Sequence, residues 1–192
     1  MQELKDRIVK EGKVLPGNII KVDGFLNHRI DTQLMEHIAQ EFGKYFDMDN
    51  VSLILTAEAS GIALAAIVAN YFHKPMIFAK KAKSDNIEGG LYQSDIFSYT
   101  YKKKVTLLVS KEWMSADDKV LIIDDFMANG EAMRGLCDIV SAAGAELVGI
   151  GCAVEKGFQG GGDRLRAAGY NLHSLAVIES AEPGHIVFRD DD

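Results

Sequence analysis

The chain has 192 residues, with 21 Lys and Arg against 28 Asp and Glu for a formal charge of -7, and 47% hydrophobic and 26% charged content. This is an ordinary globular composition, long enough for a single domain over 1–192 with a substantial core. The negative balance argues against a general affinity for nucleic acid or an anionic membrane, so an anionic ligand would need a local positive site.

The first twelve residues, "MQELKDRIVKEG", are charged and amphipathic, which predicts a helix and not a signal peptide. "QLMEHIAQEFGKYF" (33–46) places Leu34, Ile38, Phe42 and Tyr45 at helical spacing, with Gly43 near its end. "VSLILTA" (51–57) reads as a buried strand, "SGIALAAIVANYF" (60–72) as the helix after it, and "KPMIFAK" (74–80) as the next strand. The apolar run inside that helix is roughly half of what a bilayer span requires, so no membrane is expected and a cytoplasmic protein is. Residues 84–110, "SDNIEGGLYQSDIFSYTYKKKVTLLVS", turn polar and glycine-bearing and then strand-like. This predicts a long hairpin, either a functional lid or an antiparallel edge extension, with Tyr92, Tyr99 and Tyr101 as lid candidates. "VLIID" (120–124), "GEAMRGLCDIVSAAG" (130–144) and "ELVGIGCAVEK" (146–156) give strand, helix and strand, followed by a helix in "GDRLRAAGY" and the strand "NLHSLAVIES". Strands alternating with helices imply an α/β fold with a central parallel sheet and right-handed crossovers. Cys137 and Cys152, each inside an apolar pattern, read as small buried hydrophobes; no disulfide framework or protein-ligated zinc is expected.

In "KVLIIDDFMANGEAM" (119–133) a buried strand ends on two adjacent carboxylates, Asp124 and Asp125. Ligands of open parallel sheets bind outside the carboxyl ends of the strands. There, carboxylates can accept hydrogen bonds from sugar hydroxyls, and the helix N-terminus after Gly130 offers unpaired N–H groups to a phosphate. Acid for ribose and amides for phosphate, a few residues apart, describe a receptor for a ribose phosphate. A helix cap explains either acid alone but not the doubling.

The residues of this stretch resemble the phosphoribosyl pyrophosphate (PRPP) motif of the type I phosphoribosyltransferases. "KVDGFLNHRID", "EASGIA" and "VEKGFQGGGDRL" are similar to the bacterial xanthine phosphoribosyltransferases over nearly the whole chain. The resemblance implies a type I fold with a hood built from the N- and C-terminal segments and a flexible hairpin lid. It implies transfer of phosphoribose from PRPP to N9 of xanthine in purine salvage, by a homodimer using magnesium held mainly by PRPP and water, with no direct protein ligand. Asp124 and Asp125 are then the catalytic pair at the ribose hydroxyls, and Ala128, Asn129, Gly130, Glu131 and Ala132 the 5′-phosphate loop. The loop departs from the family's common Thr-Gly-Gly-Thr, and Glu131 beside a phosphate is unfavourable unless its side chain turns outward.

The resemblance also places Ala59 and Ser60 in a pyrophosphate loop, a stretch that equally suits a tight strand-to-helix turn. Lys80, Lys81 and Lys83 follow the next strand; Lys81 is assigned to pyrophosphate, against the alternative of a solvated charge run. Around xanthine it places Ile20, through its backbone, with Asn27 and Lys156 as donors to an acceptor rich in carbonyls. Phe158 would stack on the purine or pack in the core. Competing readings are another purine acceptor, a non-catalytic PRPP sensor, which would carry an added DNA-binding domain, and a flavodoxin-type nucleotide binder.

Overall fold

The computed structural model describes residues 1–81, 90–98 and 103–190. Its centre is a six-stranded sheet of β3 (Leu53–Ala57), β4 (Met76–Ala79), β7 (Lys119–Met127), β8 (Glu146–Lys156), β9 (Leu172–Glu182) and β10 (His185–Phe188), the last two joined by a hairpin. The spatial order is β10-β9-β8-β7-β3-β4, parallel throughout except that β10 runs antiparallel to β9. The sheet is therefore mixed at one edge, where the sequence pattern predicts parallel strands alone.

Alternation along β7 divides the core. Leu121 and Ile123 pack with Leu34, Ile38 and Phe42 of α2 (Thr32–Phe42) and Leu64 and Val68 of α3 (Gly61–Tyr71). Val120 and Ile122 face the other way, onto Met133, Leu136 and Val140 of α4 (Glu131–Ala143). This is the two-sided burial that turns a central parallel strand into a continuous apolar run. The N-cap Asp31 accepts from the Leu34 N–H at 3.1 Å and sets the start of α2. Because that helix ends at Phe42, Tyr45 does not continue its buried stripe; it is exposed and stacks on His173 at 4.6 Å between ring centroids.

The hairpin arms β5 (Leu91–Ser98) and β6 (Lys103–Ser110) pair antiparallel. They have partners within the chain: β6 bridges to the edge of the sheet through reciprocal Lys80 and Leu108 backbone bonds of 2.9 and 2.8 Å, and β5 lies along α4. Gly135 permits that approach, since a Cβ there would stand 2.5 Å from Ile96 and 3.0 Å from Leu107. Of the lid candidates Tyr92 is on β5, whereas Tyr99 and Tyr101, like Lys83, lie outside the described residues.

Before the core come α1 (Gln2–Glu11), the short antiparallel pair β1 (Lys13–Leu15) and β2 (Ile19–Lys21), and a π-helical turn over Asp23–Asn27. The Met1 ammonium donates to the Leu175 carbonyl at 2.6 Å, tying this segment to β9. After β8 a three-residue turn leads into α5 (Gly161–Ala167). Among the described residues no helix is long and apolar enough to cross a membrane. Cys137 and Cys152 are both buried and free, and burial pushes the Cys137 thiol up to about 12.

Candidate active site

Strand β7 carries Asp124 and Asp125 to its carboxyl end, where they are 6% and 1% exposed. Two carboxylates this deep need hydrogen-bond donors. Asp125 accepts from the Ser60 hydroxyl at 2.8 Å and from the Asn27 amide at 2.9 Å. Asp124 accepts from the Asp125 main-chain N–H at 3.0 Å. Both therefore gather about the start of α3, where helix polarity favours negative charge. Burial, and next the neighbouring charge of Asp125, hold the Asp124 carboxyl well above the usual range; the charge of Lys81 acts weakly the other way. Gly61 is required at this point, because a Cβ would lie 2.3 Å from Asp124 Oδ1 and 2.2 Å from Thr56 Oγ1.

Beyond Met127 the chain turns through Ala128 and Asn129 to Gly130, whose φ of 77° suits glycine, and enters α4. A second glycine segment braces this loop. A Cβ on Gly161 would sit 2.5 to 2.7 Å from the backbone of Ala128, Asn129 and Gly130, and Arg164 donates to the Asn129 carbonyl at 3.0 Å. Behind Gly162 the fully buried Glu155 accepts two bonds from Arg166, at 2.7 and 3.1 Å, and one from the Ser174 hydroxyl. This pair, which the sequence pattern gives no sign of, anchors α5 to the sheet and so supports the brace.

A cleft of about 220 Å³ joins these parts. It is lined by Ser60 and Glu58 after β3, Lys81 after β4, Asp124 and Phe126 of β7, the loop Ala128 to Ala132, and Phe97 of the hairpin. The Glu58–Ala59 peptide is cis, and Glu58 accepts the Lys81 main-chain N–H at 2.5 Å. The strand-end Asp124, the glycine loop, and Glu58 and Ser60 of the turn after β3 thus surround one space.

The remaining candidates lie on the hood side. Ile20 is buried in β2, opposite Val14. Asn27 ends the π-helical turn and reaches Asp125. Lys156 donates to the Asn18 carbonyl at 3.0 Å, and burial lowers the pKa of its ammonium. Phe158 packs against the core beside the hood, which is the packing alternative for this ring. The ring that connects the two sides is Phe126: it lines the cleft, and Lys156 Nζ lies 5.5 Å from its centroid.

Residues 22–166 match the phosphoribosyl transferase domain. The chain is 52% identical to the xanthine phosphoribosyltransferase of Lachnoclostridium phytofermentans, with both chains covered in full. It is 50% identical to that of Bifidobacterium longum, over 98% of this chain and all of the other. Among solved structures it resembles the adenine phosphoribosyltransferase of Giardia lamblia complexed with 9-deazaadenine, with a TM-score of 0.76 at 20% identity, covering 90% of this chain and 96% of that one. The enzyme from Trypanosoma brucei gives 0.72 at 21%, over 90% and 78%. These two likenesses show a common fold.

Proposed function

The chain belongs to the phosphoribosyl transferase family, and from that premise we infer that it transfers the 5-phosphoribosyl group of PRPP to N9 of xanthine, giving xanthosine 5′-monophosphate and pyrophosphate in purine salvage. The observation that carries the reading is that Asp124, the loop Ala128 to Ala132, Ser60 and Lys81 line one cleft. In it the N–H groups at the start of α4 would take the 5′-phosphate and the two acids the ribose hydroxyls. Ala59, Ser60 and Lys81 would hold the pyrophosphate. As the bond from C1 to pyrophosphate breaks, positive charge grows on the ribosyl group, and the acid pair favours it electrostatically while fixing the ring for attack by N9.

Bound magnesium would neutralise the pyrophosphate; Asp124 and Glu58, carboxylates on the cleft wall, fit as acceptors for its water shell and not as a closed ligand set. For the acceptor, Lys156 and Asn27 serve as donors, Ile20 through its backbone, and Phe126, already between the two sides, presents the aromatic surface. We treat residues 1–192 as one phosphoribosyltransferase domain and place its activity in the cytoplasm.

With PRPP and magnesium, xanthine is expected to give its nucleotide at least about tenfold more efficiently than guanine, hypoxanthine or adenine. A product chromatogram dominated by any of the other three would overturn the acceptor assignment. A homodimer is expected as well. Phe78 and Trp113, 37% and 66% exposed, form an apolar strip beside Lys80 at the edge of the sheet, next to the cleft-lining Lys81. Sedimentation of a fully active monomer at assay concentration would exclude it.

A further inference from the structure

The cleft assigned to a polyanion is lined by three carboxylates, Glu58, Asp124 and Glu131, against one ammonium, Lys81, among the described residues. Glu58 and Asp124 fall on the side where a magnesium-bearing pyrophosphate would lie. Glu131 does not: it is the first residue of α4, inside the loop that would take the 5′-phosphate. A free carboxylate there would repel that phosphate and compete for the same N–H groups.

The structure shows where that carboxylate goes. Glu131 Oε2 stands 3.2 Å from Arg134 Nη2 and 3.5 Å from the Phe97 N–H of the hairpin. Arg134 is itself fixed, donating through Nη2 to the Asp95 carbonyl at 2.9 Å and through Nη1 to Asp138 at 2.7 Å. Asp138 in turn accepts from the Ser94 hydroxyl at 2.8 Å. Residues 131, 134 and 138 follow one face of α4, and each touches β5. A planar guanidinium held by the Asp95 carbonyl and the Asp138 carboxylate offers a fixed direction to the second acid, Glu131.

We propose that Arg134 is a positioning residue for the donor substrate. It draws the Glu131 carboxylate out of the phosphate loop onto the hairpin and neutralises it, leaving the loop N–H groups to the phosphate alone. The inference rests on the cleft being the PRPP site. An exposed i,i+3 ion pair alone contributes little to stability; this one is assigned a role in binding.

The test compares wild type, Arg134→Ala, Glu131→Gln and the double variant. Steady-state kinetics are combined with calorimetric binding of ribose 5-phosphate, which needs neither magnesium nor turnover. Arg134→Ala is expected to raise the PRPP KM and the ribose 5-phosphate Kd about tenfold, with kcat and the xanthine KM nearly unchanged. Measured against Glu131→Gln, adding Arg134→Ala should change donor affinity by less than about threefold, because the carboxylate that Arg134 restrains is then gone. An unchanged PRPP KM in Arg134→Ala would overturn the proposal. So would a defect that persists in the double variant relative to Glu131→Gln, since Arg134 would then not act through Glu131. A wild-type enzyme that neither binds ribose 5-phosphate nor transfers phosphoribose would sink the underlying assignment and this inference with it.

Discussion

Replacing both strand-end acids, Asp124→Asn with Asp125→Asn, is expected to lower turnover by about a thousandfold or more while the fold persists. Removing one preorganised electrostatic group from an active site commonly costs about 100- to 1,000-fold, and here two would be lost together. The Asp125→Asn amide keeps the shape and one acceptor oxygen for the Asn27 N–H, now at 2.9 Å, and its NH2 can donate to the Ser60 hydroxyl, which accepts where it now donates at 2.8 Å. The thermal midpoint should not fall. Asp124 has its carboxyl pKa raised by burial and by Asp125, so its ionisation opposes folding. The stability this group contributes is fully present below its unfolded pKa and is lost as pH rises through the folded value. Asp124→Asn should flatten that part of the stability curve. Near-native turnover in a steady-state assay of the double variant would show that the ribose site is elsewhere.

Lys156→Ala is expected to reduce kcat/KM for xanthine by about ten- to a hundredfold and to leave the PRPP KM within about twofold. A surface lysine would cost roughly 0–1 kcal/mol on removal, whereas a charged donor to a purine carbonyl is worth roughly 1.5–3 kcal/mol. The surroundings favour the second description: Nζ donates to the Asn18 carbonyl, faces the Phe126 ring, and has its pKa lowered by burial. The Asn18 contact belongs to the hood as well, so both losses fall on the acceptor. Because burial lowers that pKa, acceptor efficiency should decline at a pH below the ordinary lysine range, and Lys156→Arg should remove this limb. Equal losses for both substrates would take Lys156 out of the base site.

Much of the fold was legible because β7, β8 and the helices around them keep their periodicity, and because acids at the end of an apolar strand have few structural uses. The antiparallel β10 was missed although Pro183 and Gly184 mark a turn between apolar runs, with φ of 81° at the glycine. Phe126 escaped notice because an aromatic after two acids reads as more strand, and only the sheet's geometry sets it beside Lys156. The Asn27 bond to Asp125 spans 98 positions, and Glu155 finds Arg166 and Ser174 on two other elements. Such partners are chosen by topology, and local pattern carries no trace of them. The docking of the hairpin on α4 depended on the missing side chain of Gly135, which in sequence is only a weak position in a helix.

Asn27 has two N–H donors and one carbonyl, and one of those donors is already committed to Asp125. On the proposed assignments, an acceptor base that engages the rest of this amide would be in direct mechanical contact with the group that would orient the sugar. Any displacement of Asp125 on donor binding reaches the amide, and a base that holds the amide restrains Asp125 to the same degree in free energy. On these assignments the two substrates would be energetically linked: each would set part of the other's affinity through a single shared hydrogen bond, and the linkage would be equal in both directions.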